Sequence, residues 1–121
     1  MRGSCVSPSL TSSRKIDTIT GGSGDNTLYA GSGSDTITAG SGNNEIYGGA
    51  GYDILDGSAG AKNWIQAGSG GGLITGSQNH GQDWLYGGGG TTTINAGNGS
   101  EVIRGGSGTN IINGGAGPDG T

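Results

Sequence analysis

Residues 21–47 read GGSGDNTLY, AGSGSDTIT and AGSGNNEIY. These are three consecutive nine-residue units on one template: small, Gly, small, Gly, any residue, Asp or Asn, any residue, Leu or Ile, Thr or Tyr. A unit this short cannot bury its one large aliphatic until another unit stacks on it, so a fixed period of this kind specifies a solenoid. Glycines at the second and fourth places admit backbone with φ > 0 that a side chain would forbid, and the first six residues are expected to curl. The last three are expected to extend. In Thr36-Ile37-Thr38 the side chains alternate, which points the aliphatic inward and its neighbours outward. Two units then close a flattened coil with a strand on each side, and successive coils stack about 4.8 Å apart.

Anchoring every unit on its aliphatic gives an inward ladder of Ile19, Leu28, Ile37, Ile46, Leu55, Ile65, Ile74, Leu85, Ile94, Ile103 and Ile112. Two units are longer: 57–66 has ten residues and 76–86 has eleven. Both fall on the same side of the coil. Composition alone, with 32 Gly, no Phe and 28% hydrophobic residues, would describe a disordered linker. The period decides against that. The core it builds is nonetheless thin, and stacked backbone hydrogen bonds together with a ligand that binds only the folded form must help to offset the ordering entropy.

GGSGDNTLY, AGSGSDTIT and GGAGYDILD resemble the calcium-binding RTX nonapeptide, G-G-x-G-x-D-x-U-x with U a large aliphatic. The resemblance runs over residues 16–119. It implies an all-β, right-handed parallel β-roll of about six coils with two nine-residue repeats in each. It also implies Ca²⁺ held between successive turns by the sixth-place Asp and by backbone carbonyls. In that family the repeats belong to exported bacterial proteins that fold on meeting calcium, so a secreted or cell-surface structural spacer is the expected role. Residues 1–13 lack the repeat and read as an irregular leader or tag, leaving 14–121 as the roll. The final GGAGPDGT has no strand after it and no helix caps the end, so open strand edges and end-to-end self-association are expected.

Sixth-place residues alternate between two edges. One edge carries Asp17, Asp35, Asp53, Gly72, Thr92 and Asn110, and the other Asn26, Asn44, Asn63, Asp83, Glu101 and Asp119. Ca²⁺ takes about six to eight oxygens with carboxylate charge among them. The metal candidates are therefore Asp17, Asp35 and Asp53, with Asp83, Glu101 and Asp119 as a second column. Asn in these places is expected to satisfy turn backbone groups with its own amide. The roll thus reads as partly ion-bound and partly held by amide ladders.

The outer faces offer two alternatives to a purely structural role. One shows Thr18, Thr20, Thr36, Thr38, Thr75 and Thr93, which resemble the Thr-x-Thr arrays of ice-binding solenoids, interrupted by Ile54, Asp56 and Leu73. The other carries Tyr29, Tyr47, Trp64, Trp84 and Tyr86, a set suited to a glycan or a neighbouring domain because each ring pairs an apolar body with a polar tip. Nucleic acid is disfavoured by a net charge of −4 and by the absence of a basic stripe. No apolar run is long enough for a membrane span, and a lone Cys5 cannot form an internal disulfide framework. An enzyme is not expected. Gly-x-Gly recurs without a GK[ST], and His80, the one histidine, has no convincing nucleophile beside it.

Overall fold

The extended triplets form where the template puts them and stack in parallel. The computed structural model describes residues 9–11, 16, 18–79 and 81–115. Among these, strands numbered in chain order alternate between two sheets. One sheet contains β1 (Ser9–Thr11), β3 (Thr27–Tyr29), β5 (Asn43–Tyr47), β7 (Lys62–Gln66), β9 (Gly81–Tyr86) and β11 (Gly99–Arg104). The other contains β2 (Thr18–Thr20), β4 (Thr36–Thr38), β6 (Asp53–Asp56), β8 (Gly71–Thr75), β10 (Thr91–Asn95) and β12 (Asn110–Asn113). Each strand pairs in parallel with the strand two ahead of it. The chain is therefore an all-β parallel solenoid, six strands to a sheet and about five turns between the first and last of them, as expected of a β-roll.

Register follows the aliphatic ladder. In one sheet Leu28 pairs with Ile46, Ile46 with Ile65, Ile65 with Leu85, and Leu85 with Ile103. The other runs Ile19, Ile37, Leu55, Ile74, Ile94, Ile112. The extra residues of the two long units are absorbed in the turns before β7 and β9, leaving this register intact. Leu28, Ile37, Ile46, Leu55, Ile65, Ile74, Leu85 and Ile94 are fully buried, with Ala30, Ala39, Ala67 and Ala96 filling the corners. Burial of each large aliphatic contributes roughly 1.5–3 kcal/mol. Ile112 is 46% exposed; among the described residues β12 has a neighbour, β10, on one side alone.

Two features differ from the sequence reading. Ser9–Thr11, expected to be irregular, forms a strand that pairs with β3, Leu10 opposite Leu28. The later strands also reach back into the turn, so the sixth-place residue is already extended in β6, β7 and β9. The corners remain glycine-built. Gly49 and Gly51 have φ of 90° and 96°; Ala50 N–H donates to Gly31 O at 3.0 Å, and Ser69 N–H to Gly49 O at 3.0 Å. A Cβ on Gly51 would collide with the Gly33 carbonyl of the preceding coil. No helix among the described residues is long and apolar enough to cross a membrane.

Candidate metal centre

The sixth-place side chain lies two residues before the aliphatic, so it points to the same side of the strand and into the coil. Asn26, Asp35, Asn44, Asp53, Asn63, Asp83 and Thr92 are all buried. Asp35 and Asp53 come together on one edge, where Asp35 N–H donates to Asp53 Oδ1 at 2.8 Å. Asp17 would continue this column but lies outside the described residues, as do Asp119 and His80. Beyond Asp53 the column loses its acids. Gly72 has no side chain, Thr92 Oγ1 donates to Gly87 O at 3.1 Å, and Asn110 Nδ2 donates to Gly108 O at 2.9 Å.

On the other edge an amide ladder runs through the coils. Asn26 Nδ2 donates to Asn44 Oδ1 at 3.1 Å, Asn44 Nδ2 to Asn63 Oδ1 at 3.2 Å, and Asn63 Nδ2 to Asp83 Oδ1 at 3.2 Å. Each amide nitrogen also faces main-chain oxygens of its own turn. Asn44 Nδ2 donates to Gly40 O at 3.2 Å and to Gly42 O at 3.3 Å, and Asn26 Nδ2 donates to Gly24 O at 3.1 Å and to Ala39 O of the next coil at 3.2 Å. The sixth place is thus a pocket of oxygens, and the asparagine fills it with N–H donors.

The same pocket on the acid edge receives a carboxylate oxygen instead. The point where a Cβ would stand on Gly48 is 2.7 Å from Asp53 Oδ2, and the equivalent points on Gly21, Gly57 and Gly105 are 2.8 Å from the amide nitrogens of Asn26, Asn63 and Asn110. Asp53 Oδ2 therefore occupies the position of an amide nitrogen. The same point on Gly48 also meets the Ala67 carbonyl, the counterpart of the Ala39 carbonyl at Asn26. Asp53 Oδ2 is buried and accepts no hydrogen bond. A buried carboxylate oxygen without a donor is costly, and a cation is what such a pocket of oxygens lacks.

The electrostatics agree with this geometry. The Asp53 carboxyl is pushed up to about 6, chiefly by burial, with the nearby Asp35 charge adding to the effect and the Asp35 N–H bond opposing it. Among the described residues no group of three or more His, Cys, Asp and Glu side chains is gathered to hold a metal. A hard cation here would draw on two carboxylates and the surrounding main-chain oxygens, a donor set that suits Ca²⁺.

The second acidic column is built differently. Asp83 closes the asparagine ladder: Oδ1 accepts from the Asn63 backbone N–H at 2.7 Å as well as from its amide, and Oδ2 accepts from Ser77 N–H. Burial raises the Asp83 carboxyl, and these donors pull it back. The Ser77 N–H comes from the turn of the eleven-residue unit 76–86, which thus supplies Asp83 with a neutral partner. Glu101 lies half-exposed on β11, its carboxylate against Gly99.

On the outer faces, pairing brings Thr18 beside Thr36 and Thr20 beside Thr38, but the next coil offers Ile54 and Asp56. Thr75 and Thr93 sit in different rows of the same sheet, opposite Asn95 and Leu73. The other sheet carries a contiguous aromatic strip. Tyr29 stacks on Tyr47 with ring centroids 4.8 Å apart, Tyr47 meets Trp64 edge-on at 5.1 Å, and Trp64 meets Tyr86 at 5.5 Å. Trp84 pairs with Trp64 across the strands. The sequence reading missed Asp25, which caps Asn43 N–H at 2.8 Å and lines a groove beside Trp64. Lys62 opens β7.

Comparison with curated proteins and with solved structures finds no match. The RTX calcium-binding nonapeptide repeat matches in four copies, over residues 11–46, 29–61, 79–100 and 86–120. Its repeats are calcium-binding motifs. The stretch between the second and third copies contains β7 and β8, where the sixth place is Asn63 and Gly72. With most of the chain covered and the expected parallel solenoid in place, the protein belongs to the RTX calcium-binding nonapeptide repeat family.

Proposed function

We propose that this calcium-binding repeat module takes up Ca²⁺ along one edge alone, at Asp35 and Asp53 with Asp17 continuing the column, and that the ion completes folding. One observation carries the reading: Asp53 Oδ2 stands, buried and without a hydrogen-bond donor, in a pocket that elsewhere in the roll holds an amide nitrogen. When bound, the ion would offset the carboxylate charge and the main-chain oxygens together. The chain's own part is to hold the carboxylates one coil apart and to stack the turns. Asp83 is left out because both of its oxygens already accept from neutral donors.

RTX repeats typically occur in exported bacterial proteins, and the family is generally non-catalytic. This supports a role outside the cell, where calcium is plentiful, as a rigid spacer whose folding is coupled to the ion. The test is a Ca²⁺ titration of chelator-treated protein, followed by far-UV circular dichroism and melting. Calcium should raise the melting temperature of the native chain and leave Asp53→Asn unmoved. An identical response in both would remove Asp53 from the site, and no response in either would remove calcium binding on this edge.

A further inference from the structure

The two outer faces differ in kind. The face of β2, β4, β6, β8, β10 and β12 shows Thr, Asn, Asp, Ile and Leu, with no aromatic and no basic side chain. The opposite face carries both Trp residues, Tyr29, Tyr47 and Tyr86, and the two basic residues that the structure describes, Lys62 and Arg104. Two shallow open grooves meet there at Trp64. One, of about 560 Å³, is lined among others by Asp25, Glu45, Tyr47, Lys62, Trp64 and Trp84. The other, of about 450 Å³, lies between Trp64, Gln66, Tyr86 and Arg104.

We propose that this face binds a linear neutral polysaccharide lying along the solenoid axis. Half-buried aromatic rings offer flat apolar surface to the C–H face of a pyranose while amides and charged groups at their edges exchange hydrogen bonds with its hydroxyls. The charges balance: Asp25 and Glu45 are offset by Lys62 and Arg104. A face of that kind does not select a polyanion or a polycation. Among the described residues Val102 is the one exposed aliphatic on it. Finally, the face repeats at the strand spacing of about 4.8 Å across β3 to β11, which suits a polymer that itself repeats. Tyr29 and Tyr47 cover one another's ring faces, so Trp64 and Trp84 are the platforms. The proposal rests on the fold and not on the calcium site.

The experiment is tryptophan fluorescence and calorimetry on the calcium-saturated protein, its fold checked by circular dichroism. The probes are cellohexaose and a soluble β-glucan, with polygalacturonate and chitosan as charged controls. Saturable binding of a neutral glycan is expected, with a shift in tryptophan emission. Trp84→Ala and Trp64→Ala should each weaken it at least tenfold, Trp84→Tyr should recover most of it, and Thr38→Ala on the opposite face should leave it unchanged. Three results would each overturn the proposal: no saturable binding of either neutral glycan, preference for a charged control, or binding indifferent to Trp84→Ala. Because folding is measured separately, a failed calcium response and a failed glycan response are told apart.

Discussion

Replacing Asp53 by Asn should stabilise the calcium-free protein, an unusual outcome for a fully buried position. In the native chain the Asp53 carboxyl titrates at about 6 instead of 3.8, which corresponds to about 3 kcal/mol of opposition to folding once the group is ionised. Screening by nearby solvent reduces the effect to about 2–3 kcal/mol. The sign follows from linkage. The folded-state pKa of an acid is raised, so the opposition is present in full above about pH 6 and fades as pH falls from there to 3.8. Asparagine removes the charge, and its amide nitrogen enters a pocket that already accepts one from Asn26, Asn44 and Asn110. Urea melts in EGTA at pH 7 should therefore place Asp53→Asn about 2–3 kcal/mol above the native chain, a shift in melting temperature on the order of 10 °C. The gap should close on acidification to pH 4. Equal stability of the two proteins in EGTA at pH 7, or a gap that does not change with pH, would refute the reasoning.

Asp83→Asn should do the reverse. One of the two acceptor oxygens becomes a donor facing Ser77 N–H or the Asn63 amide, and stability should fall by about 1–3 kcal/mol in urea melts with or without calcium. Asn44→Ala removes the central rung of the amide ladder and takes one acceptor from Asn26 N–H and one from its Nδ2. A loss of about 3 kcal/mol is expected, again independent of calcium. Gly51→Ala combines a φ of 96° with a collision against the Gly33 carbonyl. The chain should then fail to reach native circular dichroism at any calcium concentration.

The ladder of aliphatics was legible in the sequence because each one sits at a fixed distance from a glycine pair. Leu28 to Ile94 are buried as that spacing requires, and anchoring the two long units on their aliphatics put Ile65 and Leu85 in the ladder that the strand pairing shows. Leu10 was missed although it precedes Leu28 by one full coil, because no glycine corner leads into it. The columns of sixth-place residues were also legible, since they need only the alternation of edges. What the sequence could not convey is that Asn and Asp enter one and the same pocket from the same direction. A donor and an acceptor are then exchanged at a single point, as the matching distances from Gly48 and Gly21 reveal. Nor could spacing tell that Asp83 draws an N–H from the lengthened turn, because that depends on how the extra residues are laid down.

The close stacking of the corners has a consequence for where novelty can be written into such a chain. At Gly40, Gly42, Gly49, Gly51, Gly68 and Gly106 a carbonyl of the preceding coil stands where a side chain would begin, so these lines of backbone can carry no chemical message. Variation is channelled to the exposed fifth place, as at Asp25, Asn43 and Tyr52, and to the two sheet surfaces. Anyone wishing to graft a new specificity onto this scaffold would work on those rows alone, and could repeat a chosen residue at the pitch of the coil.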